Sequence, residues 1–384
     1  MGGIAILGNA DSFWLQRFVN NVTLPLRQEF TIISAQNEKY RQYYADNNIH
    51  VITTRPKVSK CTNTIVSKLR AFETSLNTLR AIKSVNPDVV HVHYAYPYIL
   101  KLLPYIRSNV RTIVTFWGSD LLRAGVSDQD LIRKTADSAD ALVVGAEDLF
   151  DKLHEINTSV LDKTSVIRMG ITAFDSIDKR RDKAAEAKRT LLGVEFADRT
   201  VITVGYNAGR AQQHINSLRS IATLPNEMKD SIAVILPLTY QNDDTAYLKE
   251  LEEYFADTGI RGIMLKEFMN DEEIATLCLA TDIFINGQTT DAISASMLEQ
   301  LYSGSLVING KWLNYRFLDD NGIEYEQFSD FDSLRDVLYC AIKSVKNGSI
   351  ITSKNADILK ESFSWEASRK KWKSIYEAMI NQYS

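Results

Sequence analysis

The chain has 384 residues, which at roughly 100–200 residues per domain sets an expectation of two or three domains. Hydrophobic residues make up 45% and charged residues 24%. That composition excludes a collagen, a low-complexity disordered chain and a disulfide miniprotein. With 44 basic against 48 acidic residues the net charge is −4, so a nucleic-acid partner, which calls for a basic domain, is not expected.

In chain order, GIAILG (3–8), FTIIS (30–34) and HVITT (50–54) read as strands. From Asn63 to Ser84 the residues Ile65, Leu69, Phe72, Leu76 and Leu79 recur at spacings that predict one apolar helical face. DVVHVHY (88–94), RTIVTF (111–116) and ALVVG (141–145) are buried-strand candidates, with helical stretches at about 127–138 and 147–155, and TSVIRMG (164–170) closes the series. A second series starts at TVITVG (200–205) and continues through SIAVILP (231–237), GIMLK (262–266), DIFING (282–287) and SLVING (305–310). A helix is expected from about Trp365, with Trp372, Tyr376 and Met379 in its apolar stripe. Strands alternating with helices predict parallel sheets of βαβ units. Two series separated by a charged stretch near 172–190 predict two doubly wound α/β domains. The expected boundaries are 1–175, 190–364 and a terminal helix at 365–384 packing back on the domains. Ligands of such sheets sit at the carboxyl ends of strands, so the site is expected in a cleft between the two domains.

Cys61, Cys278 and Cys340 are far apart and form no CxxC, so reduced thiols in a cytoplasmic protein are expected. The opening MGGIAILGNADSFW has no basic n-region or long apolar core, and no signal peptide is expected. No apolar run reaches 18 residues, so no spanning helix is expected and any membrane contact would be peripheral.

The stretch INGQTTDAISASMLEQLYSGSLVI (285–308) carries most of the chemical information. Asp291 and Glu299 stand eight residues apart across an expected loop-to-helix transition. A helix opening at Ser294, Ala295 and Ser296 offers free amides suited to a phosphate. Glu299, one to two turns in, is placed to reach a ribose hydroxyl, with Asp291 in the loop near a diphosphate. In VGYNAGRAQQHINSL (204–218), Gly205 and Gly209 flank a strand-to-helix turn whose amides can face an anion. Arg210 supplies a planar cation beside it, and His214 follows about a turn into the helix. At the ends of first-series strands, His93 and Asp120 are candidates for a base or acceptor-orienting group. Asp120 fits a helix cap equally well, and His91 is expected to be structural. Asp11 and Ser12 either cap the first helix or touch acceptor or donor phosphate. Asp128-Gln129-Asp130 and Asp330-Phe331-Asp332 read as helix N-terminal acids, and no metal site is expected.

The 285–308 stretch resembles the Glu-x7-Glu signature of retaining glycosyltransferases with the GT-B fold, notably family 4, with Asp291 and Glu299 at the two acidic positions and Gly304 at the glycine of the tail. GNADSFWLQRF (8–18), PDVVHVHYAYP (87–97), VTFWGSDLL (114–122), SVIRMGITAF (165–174) and FSWEASRKKW (363–372) resemble further segments of that superfamily in the same order. Where family 4 carries Gly-Arg and a later Lys-Gly, this chain has Tyr206 and no lysine, and the 204–218 loop is instead similar to that of the inverting, fucosamine-type transferases of family 56. Retaining and inverting courses therefore both stay open. The resemblance implies a metal-independent, hexosyltransferase-like enzyme of bacterial cell-surface polysaccharide or glycoconjugate synthesis. It would take a nucleoside-diphosphate sugar, of UDP or TDP type, and pass the sugar to a glycan or polyprenyl-linked acceptor without a separate cofactor. It assigns the donor sugar to Asp291 and the ribose to Glu299, with Gly205, Asn207, Arg210, His214, Phe268 and Met269 also on the donor side. Asp11, Ser12, Trp117 and Gly118 fall on the acceptor side. A sugar-nucleotide epimerase and a non-catalytic homologue on the same fold remain open alternatives.

Residues 55–83 hold Arg55, Lys57, Lys60, Lys68, Arg70, Arg80 and Lys83 against the single acid Glu73. Two readings of this segment stand: a core helix with a solvated basic face, or peripheral docking on an anionic membrane at its cytoplasmic face.

Overall fold

A computed structural model describes residues 3–57, 64–106, 109–122, 124–196, 198–290, 293–348 and 353–381. It divides into two compact units, Met1–Gly170 with Trp365–Ser384, and Ile171–Ser364.

The first unit holds a sheet of seven strands: β1 (Ile4–Leu7), β2 (Phe30–Ser34), β3 (His50–Thr53), β4 (Val89–Val92), β5 (Arg111–Phe116), β6 (Ala141–Val144) and β7 (Thr164–Val166). Their order is β3-β2-β1-β4-β5-β6-β7, with every neighbouring pair parallel. β1, β4 and β6 are buried along their whole length, which is why they read as unbroken apolar runs. Alternation divides each strand between two cores. Ala5 and Leu7 pack with Val90, Val92 and Val114 on one face, and Ile4 and Ile6 with Val89, Ile113 and Val143 on the other.

The second core is completed by the terminal helix Trp365–Asn381, whose Trp372 and Tyr376 are fully buried beside Phe18 and His91. The Tyr376 hydroxyl meets Nδ1 of His91 at 2.8 Å, and Ser368 Oγ donates to the Arg168 carbonyl at 2.6 Å. Around Val19–Thr23 the first helix widens into a π-helical turn, and Arg369 Nε donates to the Asn21 carbonyl there at 2.9 Å. Gly170 is required where the chain returns, because a Cβ there would lie 2.4 Å from the Trp365 ring.

The second unit holds β8 (Thr200–Val204), β9 (Ile232–Pro237), β10 (Gly262–Leu265), β11 (Ile283–Asn286), β12 (Leu306–Gly310) and β13 (Glu326–Phe328), in the order β10-β9-β8-β11-β12-β13 and again all parallel. In both sheets the strand order reverses beside the first strand of the unit, so β1/β4 and β8/β11 are the switch points where a doubly wound sheet opens a crevice.

The structure departs from the sequence expectations at three places. The charged stretch near 172–190, left between the two expected domains, is helical and packed. It forms helices Ala173–Asp178 and Ala184–Leu192, whose Phe174, Ile177, Ala187 and Leu192 are buried within the second unit. That unit begins at Ile171, whose amide donates to the Phe363 carbonyl at 2.8 Å. β13 was not expected, since a three-residue edge strand with two exposed polar positions carries no apolar run. Finally, the helix Thr64–Val85 buries Thr78, Ala81 and Ile82 and leaves Ile65, Leu69 and Phe72 exposed, which runs against the core-helix reading of this segment.

Candidate active site

In the second unit the loops after β8 and β11 meet at the switch point. Gly205 turns the chain out of β8 with φ +65°, and a Cβ there would lie 2.9 Å from Gln212 Oε1 and 3.0 Å from His214 Nε2. Asn207 is buried and spends its side chain on the turn, accepting from the Gly209 amide at 2.8 Å. The two loops are tied by Tyr206 and by two glutamines, Gln212 and Gln288, that no sequence signal singles out. The Tyr206 amide donates to Gln212 Oε1 at 3.2 Å, and Gln212 Nε2 donates to Gln288 Oε1 at 3.0 Å. The Tyr206 hydroxyl donates to the same Gln288 oxygen at 3.1 Å. A backbone amide can only donate, so this relay fixes the orientation of both glutamine amides. Gln288 Nε2 is then left buried with no hydrogen-bond partner among the described residues.

The helix Ala295–Ser303 opens beside this relay. Ser294 caps it, its Oγ accepting from the Met297 amide at 3.2 Å, which leaves the Ala295 and Ser296 amides in the first turn without intrahelical acceptors. Ile293, immediately before the cap, holds φ +54°, a strained value for a β-branched residue. Glu299 lies within the helix and is 8% exposed. Burial, with the Glu299 charge as a smaller contribution, pushes the Cys278 thiol well above the ordinary thiol range. Asp291 lies outside the described residues.

Of the other expected donor-side groups, Arg210 is engaged by acids and His214 is buried beside the Gly205 turn. The Arg210 guanidinium is neutralised by Asp244 at 2.7 Å and Glu250 at 3.3 Å and lies over the Tyr247 ring. The cation expected beside the phosphate loop is thus held by acids of its own surface. His214 is wholly buried, its Nδ1 is 3.0 Å from the Tyr247 hydroxyl, and burial pushes its imidazole down to about 4. Phe268 is exposed after β10 and Met269 is half-buried against Leu192 and Leu277. β10 is separated from β8 by β9, and no hydrogen bond or ring contact among the described residues joins Phe268 or Met269 to the relay.

In the first unit, His91 and His93 share one face of β4 and its extension, as period two requires. His91 is fully paired, to Tyr376 and to Thr115 Oγ1 at 2.8 Å each, and is structural. His93 is 3% exposed, and its Nε2 has no partner among the described residues. Burial pushes the His93 imidazole down to about 3, and burial with the neighbouring His93 holds His91 well below its ordinary value. Asp120 accepts from the amides of Trp117, Gly118 and Ala95 at 2.8 to 3.3 Å, so it shapes the loops after β4 and β5. Burial outweighs those amides and raises its carboxyl above the usual range. Trp117 Nε1 donates to the His93 carbonyl at 2.6 Å.

Ser12 stands at the N-cap of the first helix without a side-chain capping bond, and Asp11 does not cap it. Asp11 Oδ1 instead accepts from the Glu38 and Lys39 amides at 2.7 Å each. It lines a cavity of about 850 Å³ at the carboxyl ends of β2 and β3, together with Glu38, Arg41, Arg55, Arg70 and Thr74. Ser12, His93, Trp117, Gly118 and Asp120 are not in its lining. Arg41 was not anticipated, because a single cation in a polar helix has no pattern.

The buried imidazoles set a pH dependence. An unfolded chain takes up protons on them near 6.5, whereas the folded chain holds His91, His93 and His214 neutral to far lower pH. Below about 6.5 the unfolded state binds more protons, so stability falls with pH by about 1.4 kcal/mol per unit for each such group. Thermal melts are expected to be level above neutrality and to drop steeply between about pH 6 and 5. The His93→Gln variant should show a shallower drop. A melting temperature constant down to pH 5 would contradict the burial of neutral imidazoles.

Residues 3–144 match the family described as Glycosyl transferase 4-like. An uncharacterized glycosyltransferase of Methanocaldococcus jannaschii is 26% identical over 176 residues, spanning 43% of this chain and 42% of that protein, which is less than half of the relative. Among solved structures, a glycosyltransferase from Rickettsia africae superposes with a TM-score of 0.75 at 16% identity, covering 99% of each chain. Anabaena HepE in complex with UDP and glucose superposes at 0.68 and 14% identity, covering 98% of this chain and 100% of that one. HepE is also known with UDP and with UDP-glucose. The chain therefore has the GT-B fold of these structures, and its residues 3–144 are similar to the glycosyl transferase 4-like family.

Proposed function

We propose that the protein transfers a sugar from a nucleoside-diphosphate donor to a hydroxyl of a glycan or lipid-linked acceptor in cell-surface polysaccharide synthesis. The observation that carries this reading is the β8/β11 crevice. There a helix opens with the Ala295 and Ser296 amides lacking intrahelical acceptors, a buried carboxylate follows within it, and Gln288 Nε2 is a buried donor with no partner among the described residues. Such a set suits an anionic, hydroxyl-rich ligand, because the amides and Gln288 donate while Glu299 accepts. Glu299 is assigned to the ribose and the Ser294, Ala295 and Ser296 amides to the diphosphate. Asp291 is assigned to the donor sugar. A uridine donor is favoured by the UDP and UDP-glucose complexes of HepE.

Departure of a nucleoside diphosphate leaves negative charge that preorganised amides stabilise without reorganisation. The reaction on this reading needs no metal ion. On the first unit, the cavity lined by Asp11, Arg41, Arg55 and Arg70 is assigned to the acceptor. His93, which lies outside that lining and whose Nε2 has no partner among the described residues, is assigned to orient a hydroxyl, and Asp120 positions the loops around it.

The test is a thermal-shift titration of the full chain with uridine, thymidine, guanosine and cytidine diphosphates, followed by incubation with the matching sugar nucleotide alone. Stabilisation by UDP and slow hydrolysis of the donor are expected. Epimer formation would replace transfer by epimerisation, and no response to any nucleotide would remove the reading.

A further inference from the structure

The helix Thr64–Val85 packs the wrong way round for a core helix. At about 100° per residue, Ile65, Leu69, Phe72, Leu76 and Leu79 fall within roughly 80° of arc. The residues the helix buries, Thr78, Ala81 and Ile82, lie on the roughly opposite side. Exposure confirms the inversion: Ile65 is 69%, Leu69 54% and Phe72 63% accessible. Singly exposed apolar residues are common, but three in register on consecutive turns form a patch that needs a cover.

The charges around the stripe select the cover. Lys68 and Arg80 flank it at roughly 60° on either side and Lys83 lies on its line. All three are exposed, and none is in an ion pair among the described residues. The one acid of the helix, Glu73, accepts from the Lys57 amide at 3.0 Å. Two copies meeting through this face would bring like charges together, which disfavours self-association. An apolar strip bordered by cations fits the boundary between acyl chains and anionic headgroups. The helix lies on such a surface rather than crossing it, since no helix among the described residues is long and apolar enough to span. On the inner side of the same helix, Arg70 and Thr74 line the cavity assigned above to the acceptor.

We propose that the helix Thr64–Val85 docks the first unit on an anionic lipid bilayer, inserting Ile65, Leu69 and Phe72, and that the acceptor reaches the arginine-lined cavity from that bilayer as a lipid-linked molecule. The docking stands on the helix alone, and the acceptor's origin rests on the transfer reading. The test uses the full chain and vesicles of phosphatidylcholine alone or mixed with an equal part of phosphatidylglycerol. The chain is expected to sediment with the mixed vesicles and to stay in solution with the neutral ones. The I65S/L69S/F72S variant should bind the mixed vesicles about tenfold or more weakly at an unchanged melting temperature, since it alters only exposed side chains. K68E/R80E should lose binding to a similar degree and remain sensitive to salt only weakly. In the F72W variant, tryptophan emission should shift to the blue on the mixed vesicles, which reports insertion rather than adsorption. Equal sedimentation of wild type and the serine variant, or no shift for F72W, overturns the proposal. Titration of the uridine, thymidine, guanosine and cytidine diphosphates on the same preparation separates the two readings. Nucleotide binding without vesicle binding removes the docking alone, and vesicle binding without nucleotide binding removes the transfer reading alone.

Discussion

Replacing Glu299 with Gln is expected to raise the KM for the sugar nucleotide by about 10–100-fold, with a smaller loss in kcat. A carboxylate accepting from ribose hydroxyls contributes about 1.5–3 kcal/mol through charge-assisted hydrogen bonds, and the neutral amide returns only part of it. Glutamine keeps the volume of a side chain that is 8% exposed, so the helix Ala295–Ser303 should stay in place. The comparison needs donor kinetics together with thermal melts in the absence of nucleotide. A melting temperature close to wild type with a weakened donor assigns Glu299 to binding. A KM within twofold of wild type would show that the ribose is held by another group. A matching loss of stability without nucleotide would make the residue structural.

The second large effect concerns the terminal helix. Trp372→Ala should cost about 3–5 kcal/mol, because the indole is 1% exposed and packs against Phe18, His91 and Tyr376. The loss belongs to the first unit, whose core the helix completes. Denaturation followed by far-ultraviolet circular dichroism should resolve it as an earlier transition, since two units need not unfold together. Lys370→Ala, on the exposed side of the same helix, should change stability by no more than about 0.5 kcal/mol. If both substitutions cost the same small amount, the helix does not contribute to that core.

Much of the backbone was legible from local pattern. β5 at Arg111–Phe116 coincides with RTIVTF, and β11 at Ile283–Asn286 lies within DIFING, because strands buried on both faces must be continuously apolar. The helix Thr64–Val85 was legible in position but not in orientation. Periodicity reports that one face is apolar, and it does not say what that face meets. Short polar elements were not legible at all. β13 pairs through its backbone to β12, and its sequence Glu-Gln-Phe carries no signature of that pairing.

The candidate site divides in the same way. Ser294 and Glu299 were legible because cap chemistry and position along a helix are local properties. Gly205 was legible because a tight strand-to-helix turn needs a residue tolerant of positive φ. Gln212 and Gln288 are 76 residues apart and meet only because β8 and β11 are neighbours. The partners of Arg210 were equally hidden, since Asp244, which caps the helix Thr245–Asp257, and Glu250 within it lie 34 and 40 residues later.

By itself the sequence determined two parallel α/β sheets, the places of most strands and the helix that carries Glu299. Those features follow from side-chain periodicity and turn chemistry within a few residues. Only the tertiary structure decided which polar groups are left without a partner, which cations are already neutralised and which face of Thr64–Val85 meets solvent. These depend on burial and pairing between segments far apart in the chain, and the free energy of a polar or charged group is set by what surrounds it.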